Sequence, residues 1–350
     1  MSLRSAAEGW GILSRMKLRL AAVLSSLALV AASCGGDDPG DKDETEKGDS
    51  QPVVQMSPLT GVELPDGGPA NPVFVVKVEN TRAGSPQYGL NQAEIVVEQM
   101  VEGGVTRLAA LYYTALPNKI GHVRSMRATD VGIAAPVAGQ IVASGAAGAT
   151  YDVVAAAGLT VFSEDNGAPG FSSDPAKSRP YNRMLDLTAL AGSATAGDMP
   201  GPYFDFTKPA EEGAEPPAPP AGARPVTSAS VTFSRSHTTT LALGEGGWSR
   251  TNGFAAAGEE FVAPNLVVVF APVVDAGYKD PGGNSVPETK FEGTGRGLVV
   301  IGGQAVDVTW TKEGPGGTLK FVDANGDPVT IPVGKTWIQL APESGSVAAQ

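Results

Sequence analysis

Side chains capable of chemistry crowd into two stretches of this chain. "VENTRAGSPQYGLNQAEIVVEQMVEGGVTRL" supplies Glu79, Asn80, Arg82, Gln87, Glu94, Glu98, Glu102 and Arg107. "IGHVRSMRATD" adds His122, Arg124, Ser125, Arg127 and Asp130. Guanidinium is a permanently charged fork of five donors, matched to carboxylate and phosphate. Arg82, Arg107, Arg124 and Arg127 could therefore hold an anion, with Asn80, Gln87 and Ser125 orienting it. Glu94 and Glu98 are four apart, an even spacing that puts both on one face of a strand. Two carboxylates so placed could work as general acid and base. They could equally pair with Arg107 and Arg124 in a buried network. A structural network, a ligand site and a catalytic site all remain open at this point.

Other chemistries find less support. The chain has two His and one Cys. A Ser-His-Asp triad needs a His beside an exposed Ser, and no G-x-S-x-G elbow occurs; His237, in "RSHTTT", reads as a surface strand residue. A zinc site gathers several His, Cys, Asp or Glu, so no metal is expected. "DANGDP" (323–328) has its Gly too early for a calcium loop of the EF-hand type and reads as a turn. "GTGRGL" (293–298) lacks the third Gly of a dinucleotide fingerprint and reads as a turn or bulge. No cofactor is implied. The formal charge of -12 argues against nucleic acid, which needs basic patches.

The lone cysteine, Cys34, closes "MKLRLAAVLSSLALVAASC", which has a short basic region, an apolar run and small residues before the Cys. This is the layout of an export signal ending in a lipobox, too short for a comfortable membrane span. Residues 1–33 are expected to be a signal peptide starting at Met16, with Cys34 lipidated. The protein would then sit on the outer face of the cytoplasmic membrane. Residues 34–56 carry the lipid and an acidic tether, since 35–52 hold seven acidic and two basic residues and no apolar periodicity.

The elements that must position the polar residues follow from periodicity. Strands are expected at Val73–Val78, Ala93–Met100 and Val105–Leu116, and another at "QIVASG". A short helix should begin at Thr129 or Asp130, and a small-residue helix should close at Gly158. This alternation predicts an N-terminal α/β-type layered domain over 57–207. Residues 208–225 are a Pro-rich linker or loop. Short strands with turns at Gly302-Gly303 and Asn325-Gly326 predict a mostly antiparallel all-β domain over 226–342, followed by a tail, 343–350. The fold class is α+β, and several of the polar residues fall at strand ends, where sites in layered folds gather.

The segments "SPLTG", "KIGHVRSMR", "NLVVVF", "GTGRGLVVIGGQAVDVTWTK" and "VGKTWIQL", together with the long polar stretch above, resemble the YerB-like lipoproteins, a bacterial family of unknown function. The resemblance touches most of the chain from Ser57 to Leu340. It implies a two-domain extracytoplasmic lipoprotein and brings no activity or catalytic residue. It also implies that His122 and Tyr181 stand where the family more often has Pro and His, which weakens any His-dependent mechanism. The leading functional reading is a binding module with an Arg-rich anion site, its partners the membrane and an anionic envelope ligand or membrane protein. The alternatives are an envelope-acting enzyme using Glu94 and Glu98, and a structural partner of a membrane complex.

Overall fold

The computed structural model describes residues 54–207, 220–280 and 282–350. The segment expected as a signal peptide, Cys34, most of the expected acidic tether and residues 208–219 of the Pro-rich segment lie outside the described residues.

The N-terminal half runs β1 (Gln55–Met56), β2 (Glu63–Leu64), β3 (Phe74–Glu79), β4 (Ile95–Met100), β5 (Thr106–Tyr112), β6 (Ile120–Gly121), α1 (Asp130–Ala134), β7 (Gln140–Ala143), α2 (Gly148–Ala156), β8 (Val161–Ser163), β9 (Phe171–Ser173), β10 (Arg183–Leu185) and α3 (Leu187–Ala191). The apolar runs identified from periodicity form β3, β4, β5 and β7. Both expected helices are present: Thr129 precedes α1, and Gly158, at φ +71°, follows α2. The helices are short, however, so this half is largely β. Small residues and Gly give them little apolar face with which to build a layer, and an α/β layering is not confirmed.

The C-terminal half runs β11 (Arg224–Pro225), β12 (Ser228–Ser234), β13 (His237–Gly244), β14 (Gly247–Arg250), β15 (Asn265–Ala271), β16 (Val273–Lys279), β17 (Ser285–Thr289), β18 (Gly293–Ile301), β19 (Gln304–Lys312), β20 (Lys320–Val322), β21 (Thr336–Pro342) and β22 (Ser346–Ala349). Gly302 and Gly303, both at positive φ, make the two-residue turn between β18 and β19. "GTGRGL" is not a turn: it lies within β18, where the absence of a side chain on Gly295 leaves room for the Trp310 indole, which donates to the Phe270 carbonyl at 3.1 Å. Residues 343–350, expected as a tail, contribute β22, paired with β12, and Arg224–Pro225 of the Pro-rich segment pairs with β19.

One sheet passes through both halves in the order β11-β19-β18-β15-β21-β4-β5-β3-β7-β8, with β20 beside β19. The halves join where β21 pairs in parallel with β4, Gln339 opposite Glu98. Strands β15, β21, β4, β3, β7 and β8 all run the same way. Their carboxyl ends therefore share one edge. A second sheet, β14-β13-β12-β22, covers one face through Val231, Phe233, Leu241 and Trp248 against Leu266, Val268 and Trp337. The other face is covered by Leu59, Ile133, Val154, Tyr203 and Phe204. No helix among the described residues is long and apolar enough to cross a membrane.

Candidate functional site

Strand alternation sorts the polar residues at this carboxyl edge onto opposite faces. Odd-numbered residues of β3, β4 and β5 face the core containing Val75, Val97 and Ala109, and even-numbered ones face the core containing Val76, Val96 and Leu108. Lys77, Glu79, Gln99 and Arg107 thus share one face; Asn80, Glu98 and Thr106 share the other.

On the first face, the segment after β6 folds over the edge. The Arg124 N–H donates to the Lys77 carbonyl at 2.9 Å, and the Met126 N–H to the Gly145 carbonyl at 3.1 Å. Lys77 and Asp130 form a wholly buried ion pair at 2.6 Å. Asp130 also accepts from Gln99 Nε2 at 2.9 Å and from the Arg127 N–H at 2.7 Å. Burial lowers the Lys77 ammonium to about 8 against the opposing pull of Asp130. Arg127 grips Glu102 with two bonds of 2.6 and 2.7 Å, and Arg124 pairs with Glu79 while lying 4.8 Å from the Tyr181 ring centre.

Arg107 differs from its neighbours. It is 5% exposed, and among the described residues it has no carboxylate within ion-pair distance, whereas Lys77, Arg124 and Arg127 each have one. Its Nη1 donates to the Ser125 carbonyl at 2.9 Å, and its enclosed Nε has no partner. Burial, with the like charges of Arg127 and Arg124, pushes this guanidinium down to about 9, so it still carries its charge at neutral pH. Lys77, Arg107, Arg124 and Arg127 gather here with Glu79, Glu102 and Asp130, and Asp280 lies near enough to Arg127 to feel its charge, so the cations are concentrated in an otherwise acidic protein.

On the second face, Glu98 is wholly buried. Its Oε1 accepts from Asn80 Nδ2 (3.0 Å), Thr106 Oγ1 (2.6 Å) and Thr239 Oγ1 (2.8 Å), and lies 2.9 Å from His237 Nε2. Arg250 donates to Asn80 Oδ1 at 2.6 Å and stands 3.9 Å from Glu98 Oε2. Burial opposes the charge on Glu98, but Arg250 and the His237 bond prevail and hold it at about 2. His237 is consequently not a surface strand residue: it reaches from β13 into the N-terminal half. Sequence spacing gave no signal for this, since its partner lies 139 residues away.

The expected site residues therefore divide. Arg107, Arg124, Ser125 and Arg127 come together. Glu98 lies on the opposite face and does not join Arg107 and Arg124 in a network. Glu94 shares its parity but serves another purpose, accepting from the Tyr113 and Thr114 N–H groups (2.6 and 3.3 Å) and from Thr114 Oγ1 at 2.9 Å. Burial raises its carboxyl. With separate partners and Glu98 enclosed and ionised, the two make no acid/base pair. Arg82 is exposed and forms no ion pair among the described residues. Asn80 and Gln87 belong with Glu98 and Arg250, not with the arginines. His122 is buried as a brace, bonded to the Gly84 carbonyl at 2.8 Å and Asp174 at 3.0 Å.

Residues 59–199 match "Protein of unknown function (DUF3048) N-terminal domain", and residues 229–338 match the corresponding C-terminal domain. "Putative lipoprotein YerB" of Bacillus subtilis (strain 168) is 37% identical over 71 residues, which is 20% of this chain and 22% of that protein. The crystal structure of YerB protein from Bacillus subtilis superposes with a TM-score of 0.68 at 18% identity, over 84% of this chain and 99% of that one, a likeness of fold. With both domain matches in order along the sequence, the chain belongs to the DUF3048 family.

Proposed function

We propose that this protein is a lipid-anchored extracytoplasmic binding module whose N-terminal half takes up an anionic group at Arg107, Arg124 and Arg127. The observation that carries the reading is the buried Arg107 guanidinium with no carboxylate partner among the described residues, flanked by two further arginines. An anion there would offset like-charge repulsion that the protein's own carboxylates leave standing. The backbone around Ser125, at the carboxyl edge of strands running one way, is where layered sheets admit ligands. Residues 57–207 and 226–342 are its two domains in this reading, the second a scaffold or protein-contact module. Anchoring through Cys34 rests on the "AASC" pattern and on the name of the Bacillus subtilis relative. Cys34→Ala should move the protein from the membrane fraction to the soluble fraction.

The test uses the full chain in detergent, titrated with inorganic phosphate and with acetate against chloride of equal ionic strength. At a hundredfold excess over its dissociation constant, a ligand stabilises by about 2.7 kcal/mol. The melting temperature should rise with phosphate or acetate, and Arg107→Ala should abolish that rise. A wild-type melting temperature that responds no differently to these anions than to chloride would refute the reading. A large loss of stability in Arg107→Ala without any anion effect would favour a structural network.

A further inference from the structure

A cavity on the opposite face of the sheet from Arg107, Arg124 and Arg127 has the makings of a separate binding site. It measures about 210 Å³ and is bordered by Gln87, Leu90, Arg250, Ala255, Phe261 and Trp337. It lies between the segment after β3 and the connection from β14 to β15. These are stitched together by the Gln87 N–H donating to the Phe254 carbonyl (2.7 Å) and the Ala256 N–H donating to the Gln87 carbonyl (2.8 Å).

Its polar groups are ordered and incompletely used. Gln87 is 2% exposed. Its Nε2 donates to the Glu79 carbonyl at 2.6 Å and to Asn80 Oδ1 at 3.1 Å. A backbone carbonyl can only accept, so the orientation of the amide is determined. That leaves Oε1, which accepts no hydrogen bond from the described residues. Arg250, with a side chain 5% exposed, uses one N–H of Nη1 on Asn80 and one of Nη2 on Thr239 at 3.3 Å. The guanidinium has five N–H groups, so donors remain. Phe261 and Trp337 supply a rigid apolar wall, their rings edge to face at 4.9 Å and the Trp337 indole N–H tied to the Phe261 carbonyl at 3.2 Å.

We propose that this cavity binds a secondary amide, its N–H donating to Gln87 Oε1, its carbonyl accepting from Arg250 and its adjoining methyl-sized group lying on Phe261 and Trp337. A neutral acceptor suits Arg250 better than a carboxylate does, because Glu98 at 3.9 Å already offsets the guanidinium charge. An acceptor and a donor bordering one cavity favour molecules that carry the matching pair, since a molecule lacking it would take their water and return no bond. The N-acetyl group of an amino sugar and the peptide unit both present this chemistry. The proposal is independent of the anion site, which shares none of these residues.

The test follows the Trp337 indole N–H signal in the full-length 15N-labelled protein, assigned by its loss in Trp337→Phe. N-acetylglucosamine and N-acetylalanine methylamide are the probes, with glucose and acetate as controls lacking the amide. At least one amide should shift the signal saturably, and the one that does identifies the source; neither control should. Gln87→Leu and the cavity-filling Ala255→Leu should each weaken binding at least tenfold. Ala255 takes no part in the polar bonding, so its variant reports on the cavity even if Gln87→Leu folds poorly. The proposal is overturned if neither amide gives a saturable shift, if glucose or acetate shifts the signal equally, or if Ala255→Leu binds as wild type.

Discussion

Lowering the pH below 4.5 should draw stability out of this protein through Glu98. In the unfolded chain this carboxyl titrates near 4.5, while in the folded protein Arg250 and His237 overcome the effect of burial and hold it at about 2. A group with a depressed folded value contributes fully above the unfolded value and loses that contribution as pH falls toward the folded one. The window is therefore pH 4.5 down to about 2. Each pH unit midway through it is worth about 1.4 kcal/mol, so roughly 2 kcal/mol should disappear between pH 5.5 and 3. Glu98 is wholly buried, so solvent screening does not dilute this. The assay is urea unfolding of wild type and Glu98→Gln from pH 3 to pH 7. Gln preserves shape and removes the carboxyl titration, and because the His237 imidazole is bonded to this carboxylate the comparison is read below pH 5.5, under the range in which imidazole ordinarily titrates. The stability gap between the two should shrink by roughly 2 kcal/mol from pH 5.5 to 3. A gap that stays constant across that range would refute the reasoning.

Two further outcomes follow from the buried charges and the sheet. Lys77→Met should cost about 3–5 kcal/mol by leaving Asp130 enclosed without its cation, and the double variant Lys77→Met/Asp130→Asn should recover part of that in chemical denaturation; no recovery would mean the pair is not coupled. Gly295→Ala should lower stability by about 1–3 kcal/mol, read as a drop in melting temperature, because an added Cβ would stand 2.8 Å from both the Phe270 carbonyl and the Trp310 indole nitrogen. A neutral or stabilising effect would show that the β15–β18–β19 packing is looser than described.

Much of the strand framework was readable because apolar runs bounded by turn residues admit few alternatives. Val73–Val78 could scarcely be anything but an interior strand, and Gly302-Gly303 between two alternating segments is a hairpin. Short strands such as β8, β9 and β10, and the β16–β17 hairpin, carried too few apolar positions to be distinguished from loop. β22 was missed for a related reason: "SVAA" has no pattern of its own and becomes a strand through its pairing with β12. Lys77 was visible as the one charge within Val73–Val78, but not its partner Asp130, which lies 53 residues away.

By itself the sequence determined local matters: that the long apolar runs are strands, that the chain turns at Gly302-Gly303, that the arginines are concentrated near strand ends, and that Met16–Cys34 has the form of an export signal. Each depends on neighbours within a few residues, and periodicity or turn chemistry reports those directly. Only the tertiary structure decided which polar residues meet. Glu98 and Arg107 lie nine positions apart on adjacent strands, yet the register that sets Gln99 opposite Arg107 sends them to opposite faces of the sheet. The parallel pairing of β21 with β4, and the covering sheet that brings His237 and Arg250 to Glu98, link residues more than a hundred positions apart. Such contacts arise from how whole strands pack, and no local spacing encodes them.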